Sequence, residues 1–174
     1  MHIRPIATLT ALCLLGGAPL AQAADKPSDP QIAHIAYTAG VIDIEAAKQA
    51  LAKSKNKDVV AFAKDMVRDH EAVNTQALDL LKKLNVTPQD NATSEALSKA
   101  AAAERDKLAK LDGAAFDKAY VQNEVAFHKQ VNGALQTVLI PSASNAQLKS
   151  LLETGLKIFQ GHEQHAEQVA AELK

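Results

Sequence analysis

The segment KDVVAFAKDMVRDHEAVNTQALDLLKKL, residues 57–84, has the most regular hydrophobic period in the chain. Its less polar positions follow one another in steps of three and four residues. They are Val59, Ala63, Met66, His70, Val73, Ala77, Leu80 and Leu84. Charged side chains occupy the other faces, so the segment predicts an amphipathic helix whose apolar seam packs inside a bundle.

Upstream of this segment, the pattern predicts one more helix. The tripeptide Ser28-Asp29-Pro30 has a capping residue followed by a proline, which is typical of a helix start. An alanine-rich helix then extends to about Lys53, and the polar break at 54–56 separates it from the next helix. The two helices therefore form a hairpin with a short turn.

Downstream, a loop at 85–93 is followed by three further segments. Residues 94–111 predict a short connecting helix or a long crossover, with Ser94 as its candidate cap. A long helix begins at Asp112-Gly113 and ends near Ile140, where Pro141 stops it. Its seam contains Tyr120, Glu124, Phe127 or His128, Val131, Leu135 and Val138.

The last helix begins near residue 144 or 145 and carries the same spacing to the end of the chain. Its seam contains Leu148, Leu151, Gly155, Phe159, His162, Ala166, Val169 and Leu173. No segment shows convincing strand alternation. Four long helices in two short-loop hairpins predict an all-α fold, a ferritin-like antiparallel four-helix bundle with an additional short connecting helix.

The first 23 residues predict a cleavable signal peptide. They combine a basic start at Arg4, an apolar run at 6–20 and the small-x-small tripeptide Ala21-Gln22-Ala23. The expected organisation is a signal peptide at 1–23, a polar leader at 24–30 and the bundle domain at 31–173. We therefore expect a periplasmic protein with no transmembrane segment in its mature chain.

Composition narrows the function classes further. The single cysteine, Cys13, lies inside the apolar run, so the mature chain has no thiol to form disulfides, bind metals or act as a nucleophile. Without Arg4, 19 − 1 = 18 basic residues face 20 acidic ones, and no basic block is present. This balance argues against nucleic acid as a partner, while protein partners and homo-oligomerisation remain open.

Each long helix interrupts its apolar seam with at least one potential metal ligand. These residues are Asp43, His70, Glu124, His128 and His162. Burying such groups costs several kcal/mol unless they are paired or bound to a cation. Inward-facing side chains of this kind build the metal sites of helix bundles.

The depths of these residues are consistent with one cluster. With a rise of ~1.5 Å per residue, Asp43 and His70 lie roughly 18 and 22 Å from the first interhelical turn. Measured from a turn near residue 142, Glu124, His128 and His162 lie roughly 27, 21 and 30 Å deep. We therefore expect Glu124 to be level with His162, and His128 to lie one turn away.

Each of these side chains also has a purely structural interpretation. A single histidine on a seam is more often a hydrogen-bonded core residue than a ligand. Asp43 could pair with Lys48 or Lys64, and Glu124 with His128 could form an i,i+4 pair on a half-exposed face.

Two further residues, Asp69 and His165, have smaller predicted roles. Asp69 is rotated by ~100° from His70, so we expect it to support the cluster from outside or to remain solvated. Among the less well phased residues, His165 is the most plausible spare ligand.

The chain resembles the domain of unknown function 4142 family, over about Gln31 to Leu173. The residues that carry the resemblance are Asp43-Ile44, Ala47-Lys48, Phe62-Ala63, Met66-Val67-Arg68-Asp69-His70, Phe116-Asp117, Tyr120, His128, His162 and Ala166. The family comprises exported bacterial proteins with a ferritin-like bundle, often labelled "predicted outer membrane protein". The resemblance implies this fold, a periplasmic location and a polar cluster of Asp43, His70, His128 and His162. It implies no established reaction.

The chain departs from the family pattern at two candidate ligands. The family usually has Glu where this chain has Asp43, which makes a ligand there one methylene shorter. It usually has Gln or a similar residue at position 124, so the resemblance does not extend to Glu124 as a shared ligand.

Three functions remain in view. The first is binding of one transition metal ion, with zinc or copper favoured over iron because histidines outnumber carboxylates and the paired Glu-x-x-His helices of di-iron proteins are missing. The alternative is a metal-free envelope stress or interaction protein. A metal-dependent enzyme is the least favoured, because the sequence supplies no separate nucleophile or cofactor motif.

Overall fold

A computed structural model describes residues 26–173 of the chain. The predicted signal peptide lies outside these residues. The helices are α1 (Asp29–Lys53), α2 (Lys57–Lys83), α3 (Ala92–Ala109), α4 (Gly113–Ala134) and α5 (Ala146–Glu172). Strands are absent from the described part, which confirms the all-α prediction. None of the described helices is long and apolar enough to cross a membrane.

Helices α1, α2, α4 and α5 form a four-helix bundle. α1 packs against α2 and α4, and α5 packs against the other side of the same two helices. Each neighbouring pair is antiparallel, because α3 carries the chain back along the bundle between α2 and α4. This is the predicted ferritin-like arrangement with its connecting helix.

Helix α3 lies along the outer side of α1, and hydrogen bonds join the two helices near both ends of α3. The Gln89 amide donates to the Pro30 carbonyl at 3.0 Å near its start, and Lys53 Nζ donates to the Ala109 carbonyl at 2.8 Å at its end. Its N-cap is Asn91 and not the predicted Ser94. Ser94 lies three residues later, where its hydroxyl accepts from the Asn91 amide at 3.2 Å and completes a capping box.

The end of α4 differs from the prediction. The helix contains an unpredicted π-helical segment, Leu135–Leu139, and ends with the turn Ile140–Ser142, two residues past the predicted end near Ile140. In the π segment the Ile140 amide donates to the Leu135 carbonyl. This i→i−5 pairing lets Pro141 enter the first turn after the bulge, where its missing N–H costs little. The inserted residue also rotates the helix face, so Val138 is 44% exposed instead of lying on the seam.

The core consists of two apolar clusters separated along the bundle axis. The cluster near the α1–α2 turn contains Ala47, Val59, Phe62, Met66, Phe116, Tyr120, Ala166 and Val169. The cluster at the opposite end contains Ile32, Ile35, Leu81, Leu135, Leu139, Leu148 and Leu152. The buried polar residues of the predicted seams lie between them.

Gly40 on α1 packs against the side chain of Asn74 on α2. A β-carbon at this position would collide with the Asn74 side-chain amide, which would have to move. Asn74 itself is buried. The predicted seam residue Val73 is partly buried and lies near Gly155 of α5, so both residues face the interior.

We expect Gly40→Ala to lower the free energy of unfolding by about 1–3 kcal/mol, because the added methyl group must displace Asn74. Gly161→Ala is the matched control. Gly161 lies within α5 with nothing within 4 Å of its ideal β-carbon, so alanine should stabilise the helix by about 0.5–1 kcal/mol. Urea unfolding of both variants measures the difference, and equal effects would contradict the close approach of α1 and α2.

Candidate metal centre

Five buried polar side chains meet between the two apolar clusters. Asp43 comes from α1, His70 from α2, Glu124 and His128 from α4, and His162 from α5. Four of them are at most 2% exposed, and His162 is 6% exposed. All five residues singled out by their seam positions are therefore brought together inside the bundle.

The five side chains form two overlapping groups. One nitrogen from each of His70, His128 and His162 lies within 4.8 Å of the other two. One ligand atom from each of Asp43, Glu124 and His128 meets the same limit. His128 belongs to both groups and connects an all-histidine side of the cluster to a carboxylate side.

His128, and not Glu124, groups with His162 within 4.8 Å, although the depth estimate puts Glu124 nearer the level of His162. The depth estimate placed the turn near residue 142, whereas the helix runs through Ser142 and the turn lies at 143–145. Moving the turn by two residues changes the relative depth of α4 and α5 by about 6 Å. That shift places His162 midway in depth between Glu124 and His128, about 3 Å from each.

Hydrogen bonds fix two of the three imidazoles. His128 Nδ1 lies 2.9 Å from the Glu124 carbonyl oxygen, which can only accept, so Nδ1 carries the proton. His162 Nε2 lies 3.0 Å from Asp69 Oδ2, which assigns the proton of that ring to Nε2. The remaining nitrogens, His128 Nε2 and His162 Nδ1, are buried without a hydrogen-bond partner. Each ring therefore presents a bare lone pair.

The third imidazole is held by packing. The His70 ring stacks on Phe159 with the ring centroids 4.6 Å apart and the planes within 4°. Neither of its nitrogens has a hydrogen-bond partner, although Nε2 lies 3.5 Å from Asp43 Oδ2. An imidazole with two unsatisfied nitrogens in a buried site is costly unless something binds it.

Asp69 lies outside the triad and supports it. Its carboxylate accepts from His162 and also from Arg68, whose Nε and Nη2 lie 2.7 and 3.0 Å from the two carboxylate oxygens. These hydrogen bonds, those from Arg68 first, lower the pKa of Asp69 and keep it ionised. The sequence predicted a supporting or solvated Asp69 but gave no sign that its partner would be His162.

Burial dominates the protonation of the cluster. It lowers the pKa of His128 to about 4 and the pKa of His70 well below its ordinary value, so both rings are neutral. It raises the pKa of Glu124 to about 8, and it raises that of Asp43 well above its ordinary range, with the neighbouring Glu124 adding to the effect. The adjacent carboxyl groups cannot both ionise easily in a site without a cation.

Several buried polar groups near the cluster were not singled out by the sequence. Tyr120 was placed on the seam as an apolar residue, yet its hydroxyl is buried without a hydrogen-bond partner. Burial first, and then Glu124 and Asp43, raise the pKa of this phenol. Asn132 Nδ2 donates to Glu163 Oε2 at 2.7 Å. The Asn132–Glu163 hydrogen bond leaves no sequence signal, because it joins two different helices.

The other candidates lie elsewhere. His165 packs its ring edge against Phe62 and belongs to neither group, so the structure does not bring this spare ligand to the cluster. Lys48 pairs with Glu71 at 3.0 Å instead of with Asp43. Glu124 and His128 share a buried face, not a half-exposed one, with 3.8 Å between Oε2 and Nδ1.

Comparisons with known proteins agree with this architecture. A family model described as "Domain of unknown function (DUF4142)" matches residues 16–169. A DUF305 protein from Streptomyces coelicolor has a similar structure, with a TM-score of 0.71 and 14% identity over 83% of this chain and 93% of the other. CopM in its Cu(II)-bound form is similar with a TM-score of 0.65 and 12% identity, over 86% of this chain and 100% of the other. No curated protein matches the sequence. Identities this low show a shared fold alone.

We expect the metal-free protein to lose stability as the pH rises from 6.5 through 8. In the unfolded chain the Glu124 carboxyl titrates near its ordinary pKa of 4.5, and in the folded protein it titrates near 8. Between these values the folded state binds the additional proton, so its stabilising effect is present at low pH and is lost as the pH rises through about 8. Asp43 shifts in the same direction.

His70 and His128 have the opposite effect on the free energy of unfolding, because their pKa values are lowered in the folded state. Below about pH 6.5 the unfolded chain binds protons that these buried rings do not, so stability falls as the pH is lowered in that range. Urea unfolding at pH 6.5, 7.5 and 8.5 in the presence of a chelator tests this prediction. Glu124→Gln should flatten the slope, and an equally steep slope in this variant would show that another group causes it.

Proposed function

The chain belongs to the DUF4142 family, and we propose that it is an exported periplasmic protein that binds one transition metal ion, zinc or copper, inside its helix bundle. The observation that carries the proposal is the triad of His70, His128 and His162, whose ring nitrogens converge in a buried site. The bundle supplies the ligands, and the apolar clusters on either side keep solvent away.

The donor set favours zinc or copper. Three neutral imidazoles suit these borderline metals, whereas iron and magnesium sites in proteins use more carboxylates. Zinc ligands at about 2.0–2.1 Å in a tetrahedral site lie about 3.3 Å apart. The nitrogens here lie within 4.8 Å of one another, so binding draws the rings together by about an ångström or less per ring.

The surroundings of the triad have the form expected of a metal site. A histidine ligand commonly donates its second N–H to a carboxylate or a backbone carbonyl, which fixes the ring and raises its basicity. His162 does so to Asp69, and His128 does so to the Glu124 carbonyl. Asp43 Oδ2 lies 3.5 Å from His70 Nε2, and we propose that this carboxylate supplies a fourth ligand and neutralises part of the cation's charge.

Copper merits a test beside zinc. CopM, one of the structural relatives, is described in a Cu(II)-bound form. At 12% identity that likeness bears on the fold alone, so the choice of metal rests on measurement. The periplasmic location rests on the signal-peptide pattern at 1–23.

The double variant His70→Ala, His128→Ala should lose stoichiometric metal uptake while keeping its helical circular dichroism, because two of three imidazole ligands are gone. Competitive titration of the chelator-treated protein with Zn(II) and with Cu(I) or Cu(II) measures uptake. The matched control is His34→Ala, His165→Ala, since these histidines lie outside the cluster. Equal uptake by the two double variants would exclude the proposed site, because the metal would then bind without His70 and His128.

Asp69→Asn should weaken metal affinity about 10–100-fold without abolishing binding, because it removes the anionic acceptor that orients His162. Asp65→Asn is its control, since Asp65 pairs with the same arginine but does not contact the histidine. The affinities come from the same competitive titration. An Asp69→Asn affinity equal to that of the control would show that the carboxylate does not act through the imidazole.

A further inference from the structure

The second group of the cluster, Asp43, Glu124 and His128, differs from the histidine triad in its chemistry. One ligand atom from each of these three side chains lies within 4.8 Å of the other two. Two of the three are carboxyl groups, and each carboxylate can offer one or both of its oxygens to a cation. The triad offers nitrogen alone, so the two sides of the cluster favour different cations.

The carboxylate side contains several polar atoms without a partner. Asp43 Oδ1 and Glu124 Oε2 are buried and accept no hydrogen bond, and His128 Nε2 is in the same condition. Tyr120 lies one helical turn before Glu124 on the same face of α4, and its buried hydroxyl is also unpartnered. Packing leaves these atoms unsatisfied, whereas a bound cation would satisfy several of them together.

The described residues pair no lysine or arginine with the two carboxyl groups. The ion-pair partners within this part of the chain are histidines, His70 for Asp43 and His128 for Glu124. The nearby Lys48 pairs with Glu71 instead. One divalent cation would balance the charges of both carboxylates, which are otherwise costly to bury side by side.

The donor set favours manganese(II). Carboxylate oxygens suit magnesium, calcium and manganese. Magnesium usually keeps several of its waters, and calcium takes about 6–8 oxygen ligands. Asp43, Glu124 and His128 are only 1–2% exposed, which leaves little room for either shell. Manganese(II) is the ion of this class that also accepts an imidazole beside its carboxylates.

His128 connects the two sides of the cluster and can serve only one ion at a time. Its Nδ1 carries the proton that it donates to the Glu124 carbonyl at 2.9 Å. A single lone pair, on Nε2, is therefore available to a metal. An ion on the carboxylate side and an ion in the triad compete for this lone pair, so filling one site empties the other.

We propose that Asp43, Glu124 and His128 form a second site, which binds one manganese(II) ion when the triad is empty and releases it when zinc or copper enters the triad. Manganese(II) is the weakest binder of the first-row divalent ions, whereas zinc and copper are among the tightest, so the triad metal takes precedence. The displacement rests on the proposed function, but the manganese site itself requires neither zinc nor copper.

The test uses the purified, chelator-treated protein and manganese chloride. Electron paramagnetic resonance records the sharp signal of free manganese(II), which is lost on binding. We expect uptake of about one ion per chain, and the release of one manganese(II) ion for each zinc ion that is then bound. No saturable manganese uptake would overturn the inference, and so would manganese that stays bound after the same chain has taken up one zinc ion.

A matched pair of variants locates the ion. Glu124→Gln removes one carboxylate and keeps its size. It should weaken manganese binding about tenfold or more, since even a residue that only supports a ligand contributes about 10–100-fold. Glu71→Gln is the control, because Glu71 pairs with Lys48 at the surface and lies outside the cluster. Equal manganese affinity in the two variants, with circular dichroism showing that both are folded, would refute the site.

A double variant separates the two sides of the cluster. His70→Ala, His162→Ala removes two triad ligands and leaves Asp43, Glu124 and His128 in place. It should lose the uptake of zinc and copper and keep the manganese stoichiometry of the unmodified protein. Loss of manganese uptake in this variant, if it is folded, would show that manganese binds in the triad and would overturn the inference.

Metal uptake by the unmodified protein distinguishes the two proposals. Manganese uptake without any uptake of zinc or copper would overturn only the proposed function. Uptake of zinc or copper without any uptake of manganese would overturn only the second site.

Discussion

The burial of polar nitrogen and oxygen atoms in the middle of an apolar bundle is the constraint on which the structure depends. Five ionisable side chains are withdrawn from water at mid-depth, and several of their atoms have no protein partner. Such atoms are usually satisfied in folded proteins, because each unpaired one costs about 1–3 kcal/mol. Here the apolar clusters at both ends hold the helices together, and the middle of the bundle contains buried polar groups whose burial apolar packing does not compensate.

Much of the fold and the membership of the cluster follow from local sequence. A seam spacing of three and four residues determines which side chains face inward, and it does so for Asp43, His70, His128 and His162 whatever the helices pack against. The axial alignment of one helix with the next does not follow from this spacing, because it depends on the position of the turn between them. The π segment Leu135–Leu139 and the late turn at 143–145 are local features that no hydrophobic period reveals, and they change the depth of α4 residues relative to α5.

Interhelical polar pairs are the other part that the sequence does not reveal. Asp69 was set apart from the seam by its rotation of ~100°, yet it reaches His162 on another helix and fixes the tautomer of that ring.

The central claim is that one ion lies between the three imidazoles. Anomalous diffraction from crystals of the protein loaded with one equivalent of zinc or copper, recorded at the absorption edge of the metal, tests this claim directly. The account predicts one strong peak per chain, between His128 Nε2, His162 Nδ1 and a nitrogen of His70. A peak at surface histidines such as His34 or His165, or an empty cluster in crystals that contain the metal elsewhere, would contradict it.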